Sequence, residues 1–520
     1  MKNIISLYAG HNASITIKDK NGKYHVIEFD RLFQEKYSML SYLSENELWY
    51  RIICVLDLLR EKYEVDTNFD TLCLGVDGQR RIDVFREIIN PQSIHFYDHH
   101  KSHAACSFYQ SPFQKALIIS YDGGGNDGSF NIYIADKETN KIDHIDSINI
   151  NLGDKYLITG YPISEITGLK HQLPHDLQIS GKLMGLAAYG NIRSDWIMPL
   201  TNFYKTPGRS LEELSKEINL NLETNALTGQ NSCDFAATSQ KVFENIFFEA
   251  TKIYIEKYDL PICLTGGSAL NILVNEKLRQ NIKREIFIPP NPDDGGLSLG
   301  QHFLCSAPKS QVDITYFGIP ILDEHKLKYY IKKRKPKKIT LGELADLIIE
   351  GKIIGIIQSN CEVGPRALGN RSIICNPSIK GMKDILNKKV KHRESYRPFA
   401  PVTRLNDAHK FFEVSKNELG SFKFMSYSPK VKQEYQEKLK EVVHKDNTSR
   451  LQIVDKTDKT IFYKLLTELS KKTDIPVLLN TSFNIKGRPI ISTIQDALEV
   501  LDTTQLDAVY VFGYLFTKNK

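Results

Sequence analysis

Residues 116–128 read ALIISYDGGGNDG, a short apolar run that ends in an aspartate and three glycines. A run of this length, bounded by polar and glycine residues, predicts a buried β-strand followed by a turn. A carboxylate at the end of a strand, followed by glycines, allows the backbone to approach a phosphate or an ion closely. Asp293-Asp294-Gly295-Gly296 repeats this pattern later in the chain. An ordinary turn is the alternative interpretation of each Asp-Gly pair.

Further apolar runs alternate with amphipathic stretches along the chain. Residues 3–8, 261–264 and 353–357 have the composition of buried strands, bounded by glycine or polar turns. Residues 45–63 and 239–258 have the periodicity of helices. Strands that alternate with helices predict an α/β architecture.

The composition of the chain is that of a globular protein of several domains. It has 520 residues and a net charge of +6. The eight cysteines include no CxxC pair, so neither a zinc ribbon nor a redox dithiol is indicated. No run reaches about 18 apolar residues, so we expect no membrane span and no membrane partner. The first residues predict a strand rather than a signal peptide, and we therefore expect a cytoplasmic protein.

The clearest domain boundary lies between residues 306 and 340, where the sequence becomes polar and strongly basic. We predict an N-terminal domain over 1–310, a linker over 311–340 and a C-terminal domain over 341–520. Residues 332–338 read KKRKPKK. Such a run is typical of a solvated linker, and the alternative is a patch that binds phosphate or nucleic acid.

Residues 98–103 read DHHKSH and form the densest group of metal-ligand residue types in the chain. His99 and His103 are four residues apart, so on a helix both imidazoles lie on one face and can reach the same ion. On the same helix, His100 points elsewhere. With two carboxylates from the Asp-Gly motifs, the set suits a divalent first-row metal such as iron(II), manganese or zinc. A helix start with surface histidines is the alternative.

Two glycine turns complete the N-terminal motifs. Residues 10–14 (GHNAS) lie between two apolar strands, and residues 265–271 (TGGSALN) follow a strand and open a helix. Backbone N–H groups at a strand-to-helix turn bind phosphate well. The turns match neither a Walker loop nor GxGxxG, but together the motifs predict a two-lobed fold that grips a nucleotide.

The order of the motifs resembles the nodulation-protein-U / cephem carbamoyltransferase family. In the N-terminal part the resemblance rests on GHNAS at 10–14, HHKSHAA at 99–105, DGGGNDGS at 122–129, GKLMGLAAYG at 181–190, GGSALN at 266–271 and DDGGLSLG at 293–300. It continues with EVGPRALGNRS at 362–372, KHRE at 391–394, RPFAP at 397–401 and LNTSFN at 479–484. The resemblance implies an α/β protein. Its N-terminal domain would have the actin-like, sugar-kinase-like (ASKHA) ATPase fold, and its C-terminal domain would be YrdC-like.

The resemblance also implies roles for residues of the N-terminal domain. The implied metal ligands are His99, His103, Asp122 and Asp294, with Asp293 as the neighbouring choice for the last. The family's metal is iron-like, which implies Fe(II). His11 matches the histidine that acts as the base on the acceptor hydroxyl. The implied nucleotide contacts are Gly124, Gly266, Gly267 and Asn271.

In the C-terminal domain the resemblance implies a site that forms carbamoyl-adenylate. Lys391-x-Arg393 and Ser482-x-Asn484 are similar to the KxR and SxN motifs of YrdC-like domains. Arg366 and Arg371 are placed beside them by the same resemblance. Fixed cations suit this chemistry because the phosphates of ATP and of carbamoyl phosphate are anionic.

The implied function is an ATP-dependent O-carbamoyltransferase. It would form carbamoyl-adenylate from carbamoyl phosphate and ATP, with Mg²⁺ accompanying the ATP, and pass the carbamoyl group to an acceptor hydroxyl. The acceptor stays open between a small molecule, such as a sugar or an antibiotic, and a hydroxymethylated DNA base such as 5-hydroxymethylcytosine. The alternatives are a transferase that makes threonylcarbamoyladenosine in tRNA and a non-catalytic actin-fold protein that binds nucleotide. The GPRALGNRS and RPFAP stretches favour the O-carbamoyl family.

Overall fold

The computed structural model describes residues 2–168 and 176–518, which form three β-sheets surrounded by helices. The first sheet contains β1 (Ile4–Tyr8), β2 (Ser14–Lys18), β3 (Tyr24–Glu28), β4 (Thr71–Gly75) and β5 (Ser93–Tyr97). Its strand order is β3-β2-β1-β4-β5. The first three strands are antiparallel, whereas β4 and β5 run parallel to β1.

The second sheet has the same topology. Its strands are β6 (Lys115–Gly125), β7 (Gly128–Asp136), β8 (Lys141–Ser147), β9 (Ile262–Thr265) and β10 (Ile286–Phe287). They are ordered β10-β9-β6-β7-β8, with β6 to β8 antiparallel and β9 and β10 parallel to β6. Two sheets of this kind in one chain confirm the predicted actin-like, sugar-kinase-like fold of the N-terminal part.

The third sheet belongs to the C-terminal part. Its strands are β11 (Lys337–Lys338), β12 (Ile354–Ile357), β13 (Arg371–Cys375), β14 (Ala400–Arg404), β15 (Gln452–Val454), β16 (Val477–Ser482), β17 (Ala508–Val511) and β18 (Tyr514–Thr517). They are ordered β11-β18-β17-β12-β13-β16-β14-β15. The sheet mixes parallel and antiparallel pairs, which confirms the α/β class predicted here for a YrdC-like domain.

Helices pack on both sides of these sheets. They are α1 (Phe29–Phe33), α2 (Glu45–Tyr63), α3 (Ile82–Ile89), α4 (His99–Gln110), α5 (Leu152–Ile158), α6 (Ser164–Thr167), α7 (Gln178–Ala187), α8 (Ser194–Lys205), α9 (Leu211–Ile218), α10 (Gly229–Lys257), α11 (Ile272–Asn281), α12 (Leu297–Ser306), α13 (Leu327–Arg334), α14 (Leu341–Ile349), α15 (Met382–Ile385), α16 (Leu405–Phe411), α17 (Gln433–Gln436), α18 (Phe462–Ser470) and α19 (Ile494–Thr503). In the part of the chain that the structure describes, none of them is long and apolar enough to span a membrane.

The predicted helix over 45–63 coincides with α2 because both of its ends carry sequence signals. The Ser44 side chain accepts a hydrogen bond from the Glu47 backbone N–H, and Glu64 adopts the left-handed conformation that ends many helices. The predicted helix over 239–258 is the C-terminal two-thirds of the longer α10. The first turns of α10 carry few apolar residues, so their sequence shows no clear helical periodicity.

Residues 311–340, predicted as a linker, contain α13 and the edge strand β11, which pairs antiparallel with β18. Leu327, Tyr330 and Ile331 lie on the inner face of α13, with Tyr330 buried. In the sequence, lysines separate these apolar residues. The run of charges therefore did not indicate a helix, although α13 packs on the C-terminal part.

Arg31, in the middle of α1, connects the two parts. Its guanidinium is buried and donates to the Cys361 sulfur at 2.8 Å and to the backbone carbonyls of Glu362 and Gly364. Its Nε lies 3.2 Å from a carboxylate oxygen of Glu28, whose other oxygen accepts from the Gly364 N–H at 3.2 Å. Glu28 and Arg31 therefore bind the backbone of the loop that leads into the GPRALG motif.

We expect Arg31→Ala to lower the free energy of unfolding by about 3–5 kcal/mol, because it leaves the recessed Glu28 carboxylate without its partner. Denaturant unfolding followed by tryptophan and tyrosine fluorescence measures this loss. Arg86→Ala is the matched control, since the Arg86 side chain is exposed and lies 3.8 Å from Asp83. The control should change stability by less than about 0.5 kcal/mol. Equal losses in the two variants would show that Arg31 is not a structural clamp.

Candidate active site

Two histidines and two aspartates converge where the two N-terminal sheets meet. His103 Nε2 lies 3.1 Å from Asp122 Oδ2 and 3.3 Å from Asp294 Oδ1, and His99 Nε2 lies 3.5 Å from the same Asp294 oxygen. One ligand atom from each of the four residues lies within 4.8 Å of the other three. His100 turns away and contacts the Ser120 hydroxyl through Nδ1 at 2.7 Å, as its position on α4 predicts.

The chemistry of this cluster fits a metal ion. His99 Nε2 and His103 Nε2 are buried, and neither has a hydrogen-bond partner within the described residues. Buried polar atoms without partners are rare and point to an absent ion or ligand. Two imidazoles and two carboxylates are ligands that iron(II), manganese and zinc share. Asp294 lies in the cluster, whereas its neighbour Asp293 does not.

The electrostatics of the cluster are those of a cation site. Burial opposes the charged forms, but His11 and His99 lower the pKa of Asp294 to about 2. Burial also lowers the pKa of His103, yet the adjacent carboxylates of Asp122 and Asp294 raise it to about 9. The negative charge of these carboxylates therefore favours the protonated form of His103. A bound cation would balance the same negative charge. Metal binding displaces such a proton.

Backbone groups hold Asp122 in place. Its carboxylate accepts from the N–H groups of Gly123 and Gly267, each at 2.7 Å. Gly266 has φ +88°, and a Cβ there would lie 2.2 Å from the Tyr121 carbonyl oxygen. Only glycine fits this contact, which presses the TGGSALN loop against the end of β6. Gly124, further along the same strand end, lines the adjoining cavity.

Asn271 and His11 complete the N-terminal wall. The Asn271 side chain caps α11 by accepting from the Val274 N–H at 3.2 Å, and the residue also lines the cavity. His11 Nε2 lies 3.3 Å from Asp294 Oδ2, which also accepts from the Tyr8 hydroxyl at 2.6 Å. Burial lowers the pKa of His11, but nearby carboxylates, Asp294 foremost, raise it above its ordinary value.

A second polar cluster lies at the end of β16. Lys391 Nζ donates to the backbone carbonyls of Ser482 and Asn484, at 2.7 and 2.8 Å, and to the Asn484 side-chain oxygen. The Ser482 hydroxyl donates to that same oxygen at 2.8 Å. Burial, reinforced by Arg393 and Arg397, lowers the pKa of Lys391 well below its ordinary value. The predicted Lys-x-Arg and Ser-x-Asn motifs therefore meet in space.

Four arginines extend this cluster, of which the sequence identified Arg366 and Arg393. Arg393 donates to the Asn387 side chain at 2.8 Å and lies over the Phe399 ring. Arg397 was visible within the RPFAP stretch, although no role was assigned to it. Arg450 was missed because it lies in no recognisable motif. Its Nε is buried and has no hydrogen-bond partner within residues 2–168 and 176–518, and burial and neighbouring arginines hold its pKa well below its ordinary value.

Arg371 lies elsewhere. It is fully buried and donates to the backbone carbonyls of Gln358, Ser359 and Asn370. It does not line the cavity described below. The structure therefore makes Arg371 a residue that holds the loop between β12 and β13, rather than one that lies beside Lys391 and Ser482.

One cavity of about 800 Å³ joins the two clusters. His11, Asp122 and Asp294 line its N-terminal wall, and Lys391, Ser482 and Asn484 line the opposite wall. Carboxylates and imidazoles therefore face lysine and arginine across a single space. This space is within the size range of small-molecule sites in proteins.

Two protein-family models together match most of this chain. The family model described as the carbamoyltransferase N-terminus matches residues 32–302, and that described as the carbamoyltransferase C-terminus matches residues 345–518. The chain belongs to the carbamoyltransferase family. The predicted resemblance and the prediction of an enzyme that transfers carbamoyl groups are thereby confirmed.

Several curated proteins are similar to this carbamoyltransferase over most of the chain. Nodulation protein NolNO of Sinorhizobium fredii is 31% identical over 83% of this chain, which spans 65% of that longer protein. Nodulation protein NolO of Bradyrhizobium diazoefficiens is 30% identical, with 81% of this chain and 79% of the relative covered. An uncharacterised protein of Methanocaldococcus jannaschii is 31% identical, with 85% and 86% covered.

Solved structures are less similar to this carbamoyltransferase. The crystal structure of T. kodakarensis HypF aligns with a TM-score of 0.40 and 15% identity over 59% of this chain and 48% of HypF.

We expect His99→Ala to lower the affinity of the cluster for a divalent ion by about 100-fold or more, since loss of even an outer partner of a metal ligand costs 10–100-fold. Equilibrium dialysis with iron(II) under anaerobic conditions, followed by elemental analysis, measures this affinity. His144→Ala is the control, because His144 lies on the exposed face of β8. Retention of iron by His99→Ala at the level of the control would reject the four-residue metal site.

Proposed function

We propose that this carbamoyltransferase is an ATP-dependent O-carbamoyltransferase with two reaction centres in one cavity. Carbamoyl-adenylate forms from carbamoyl phosphate and ATP at the basic cluster around Lys391. The carbamoyl group then passes to an acceptor hydroxyl at the cluster around Asp294. The observation that carries this proposal is the cavity of about 800 Å³ that both clusters line.

The basic cluster suits the activation step. Carbamate, released with inorganic phosphate when water cleaves carbamoyl phosphate, attacks the α-phosphorus of ATP, and pyrophosphate leaves. Negative charge spreads over the phosphate oxygens in this step, and fixed cations stabilise it. Arg366, Arg397 and Arg450 line the cavity. Burial lowers the pKa of Arg366 and of Arg450, and a bound anion would stabilise their charged forms. The Ser482 and Asn484 side chains can hold the small planar carbamate by hydrogen bonds.

The N-terminal wall suits the transfer step. Carbamoyl-adenylate is a mixed anhydride, which an enclosed cavity protects from hydrolysis. His11 Nε2 accepts the proton of the acceptor hydroxyl as its oxygen attacks the carbamoyl carbon, and AMP leaves. A divalent ion held by His99, His103, Asp122 and Asp294 would supply Lewis-acid polarisation of the anhydride and charge for the departing phosphate. We propose iron(II) for this site and Mg²⁺ with the ATP.

Two features of the chain weigh against the alternative functions. Both family models that match this chain are those of carbamoyltransferases, which disfavours a transferase that makes threonylcarbamoyladenosine in tRNA. The presence of the His99–His103–Asp122–Asp294 cluster together with the Lys391 and Ser482 motifs disfavours a protein without turnover, because binding a nucleotide alone does not require both. The acceptor is a hydroxylated small molecule or a hydroxymethylated nucleic-acid base.

We expect Lys391→Ala to reduce pyrophosphate release from ATP and carbamoyl phosphate by about 100-fold or more, as loss of one preorganised donor at developing charge does. A coupled pyrophosphate assay measures it without any acceptor. The control is Lys388→Ala, because Lys388 is exposed on the same helical segment. Pyrophosphate release at the control's rate by Lys391→Ala would contradict the assignment of the activation site.

We expect His11→Ala to spare pyrophosphate release and to slow carbamoyl transfer by about 10²–10⁴-fold, which is the usual contribution of general-base catalysis. The acceptor is first found with the unaltered enzyme, ATP, carbamoyl phosphate and iron(II). A panel of sugars, antibiotics and 5-hydroxymethylcytosine DNA is screened by mass spectrometry for the gain of one carbamoyl group. An equal fall in both half-reactions would contradict the role of His11 as base.

A further inference from the structure

Residues 326–338 carry positive charges that the carbamoyl-transfer cavity does not use. Six exposed lysines form what we call the basic strip: Lys326, Lys328, Lys332, Lys333, Lys335 and Lys338. Among the described residues, none of the six forms an ion pair with a carboxylate. By contrast, Arg334 pairs with Asp502 at 2.5 Å and Lys337 with Glu343 at 3.0 Å.

Three lysines of the basic strip lie on one face of α13, namely Lys328, Lys332 and Lys333, whereas Lys326 precedes the helix, Lys335 follows it and Lys338 lies in β11. Lys328 and Lys332 are four residues apart and lie one above the other, and Tyr329 and Lys333 form a parallel row beside them. The Tyr329 side chain is 57% exposed, and Lys333 Nζ lies 5.6 Å from the centre of its ring. The opposite face is anchored by buried Tyr330, whose hydroxyl donates to Asp323 at 2.9 Å.

Folding of the chain does not account for the whole strip. Lysines in the last turn of a helix are favourable, because they complement its dipole. Lys326 and Lys328 lie at the opposite end, where positive charge is unfavourable. Lys328 and Lys332 also repel each other, which costs about 0.2–0.5 kcal/mol in a helix. The strip is therefore costly in the free protein, and an external anion would offset this cost.

The segment that bears the strip is attached next to the cavity wall. Asp323 accepts from the backbone N–H groups of Ile494 and Gln495, at 2.6 and 3.1 Å, and thereby caps α19. The Leu322 N–H donates to the Ser492 carbonyl at 3.1 Å. Ser492 lies two residues after Ile490, and Ile490 lines the cavity. A polymer bound to the strip therefore contacts a segment that leads directly to this wall.

We propose that the basic strip binds the phosphate backbone of a nucleic acid, with Tyr329 stacking on an unpaired base. The eight residues of α13 span about 12 Å, along which duplex DNA presents roughly seven phosphate charges. A membrane-surface helix needs an exposed apolar face, and that of α13 is packed on the protein. This inference goes beyond the carbamoyl-transfer chemistry, since binding is measured without ATP or carbamoyl phosphate.

The first test measures binding of labelled 20-nucleotide duplex and single-stranded DNA by fluorescence anisotropy at 50 to 200 mM salt. Six phosphate contacts predict about a thousandfold loss of duplex affinity over this range. In the variant K328Q/K332Q/K335Q/K338Q, two phosphate contacts remain. The loss of duplex affinity over the same range of salt concentration then falls to about tenfold. The control K216Q/K252Q/K440Q/K471Q removes the same charge from exposed lysines that are ion-paired. If both variants bind alike, the strip is not the binding surface.

The second test separates nucleic acid from other polyanions. Tyr329→Ala should weaken binding of single-stranded DNA by about 5–150-fold, the usual cost of losing one stacked base, and Tyr329→Phe should restore it. Polyglutamate of equal charge and vesicles with anionic lipid serve as competitors. Displacement of DNA by either competitor at equal charge concentration would overturn the assignment to nucleic acid. Pyrophosphate release in the four-lysine variant should stay unchanged, so failure here is distinct from failure of the carbamoyl-transfer proposal.

Discussion

Two backbone N–H groups, those of Gly123 and Gly267, hold the carboxylate of Asp122 at the end of β6. They come from two neighbouring parallel strands, β6 and β9, whose carboxyl ends meet at this edge of the sheet. This constraint fixes the carboxylate toward His103, and the other residues of the histidine–aspartate cluster are arranged around it. Without the glycine loop after β9, a side chain would occupy the space that the carboxylate needs.

The two walls of the cavity carry different charged groups. Carboxylates and His11 on one wall face arginines and a lysine on the other. Like charges grouped in a buried site cost stability, as functional sites generally do. Under the proposed function, a metal ion and phosphate groups would offset this cost, so the same groups would provide binding energy. Arg31 and Glu28 help to hold the two walls at a constant separation.

Much of this site was predictable from the sequence because its residues lie within short motifs. His99 and His103 follow the helical period, and Asp122 follows an apolar strand. Lys391 and Ser482 are far apart in the chain, and only the family resemblance connected them. Chain-distant contacts of this kind are set by tertiary packing, which local patterns do not encode.

The misassigned parts have identifiable physical causes. Arg371 lies in a motif rich in active-site residues, yet the alternation of β13 turns it into the core, where it satisfies backbone carbonyls. Helix α13 was not predicted from the sequence, because long lysine side chains surround its narrow apolar face. Arg450 left no local signal, since a lone arginine in a polar loop is usually exposed.

The contact between Gly364 and Pro290 links the two parts by backbone alone. Gly364 has φ +96°, and a Cβ there would lie 2.1 Å from the Pro290 carbonyl oxygen. Pro290 lies just before the Asp293-Asp294 pair, and Gly364 just before Arg366. The loop that carries Asp294 is thus seated directly on the loop that carries Arg366. An exchange of either half between relatives would have to preserve this backbone contact, so the two halves would be engineered as a matched pair.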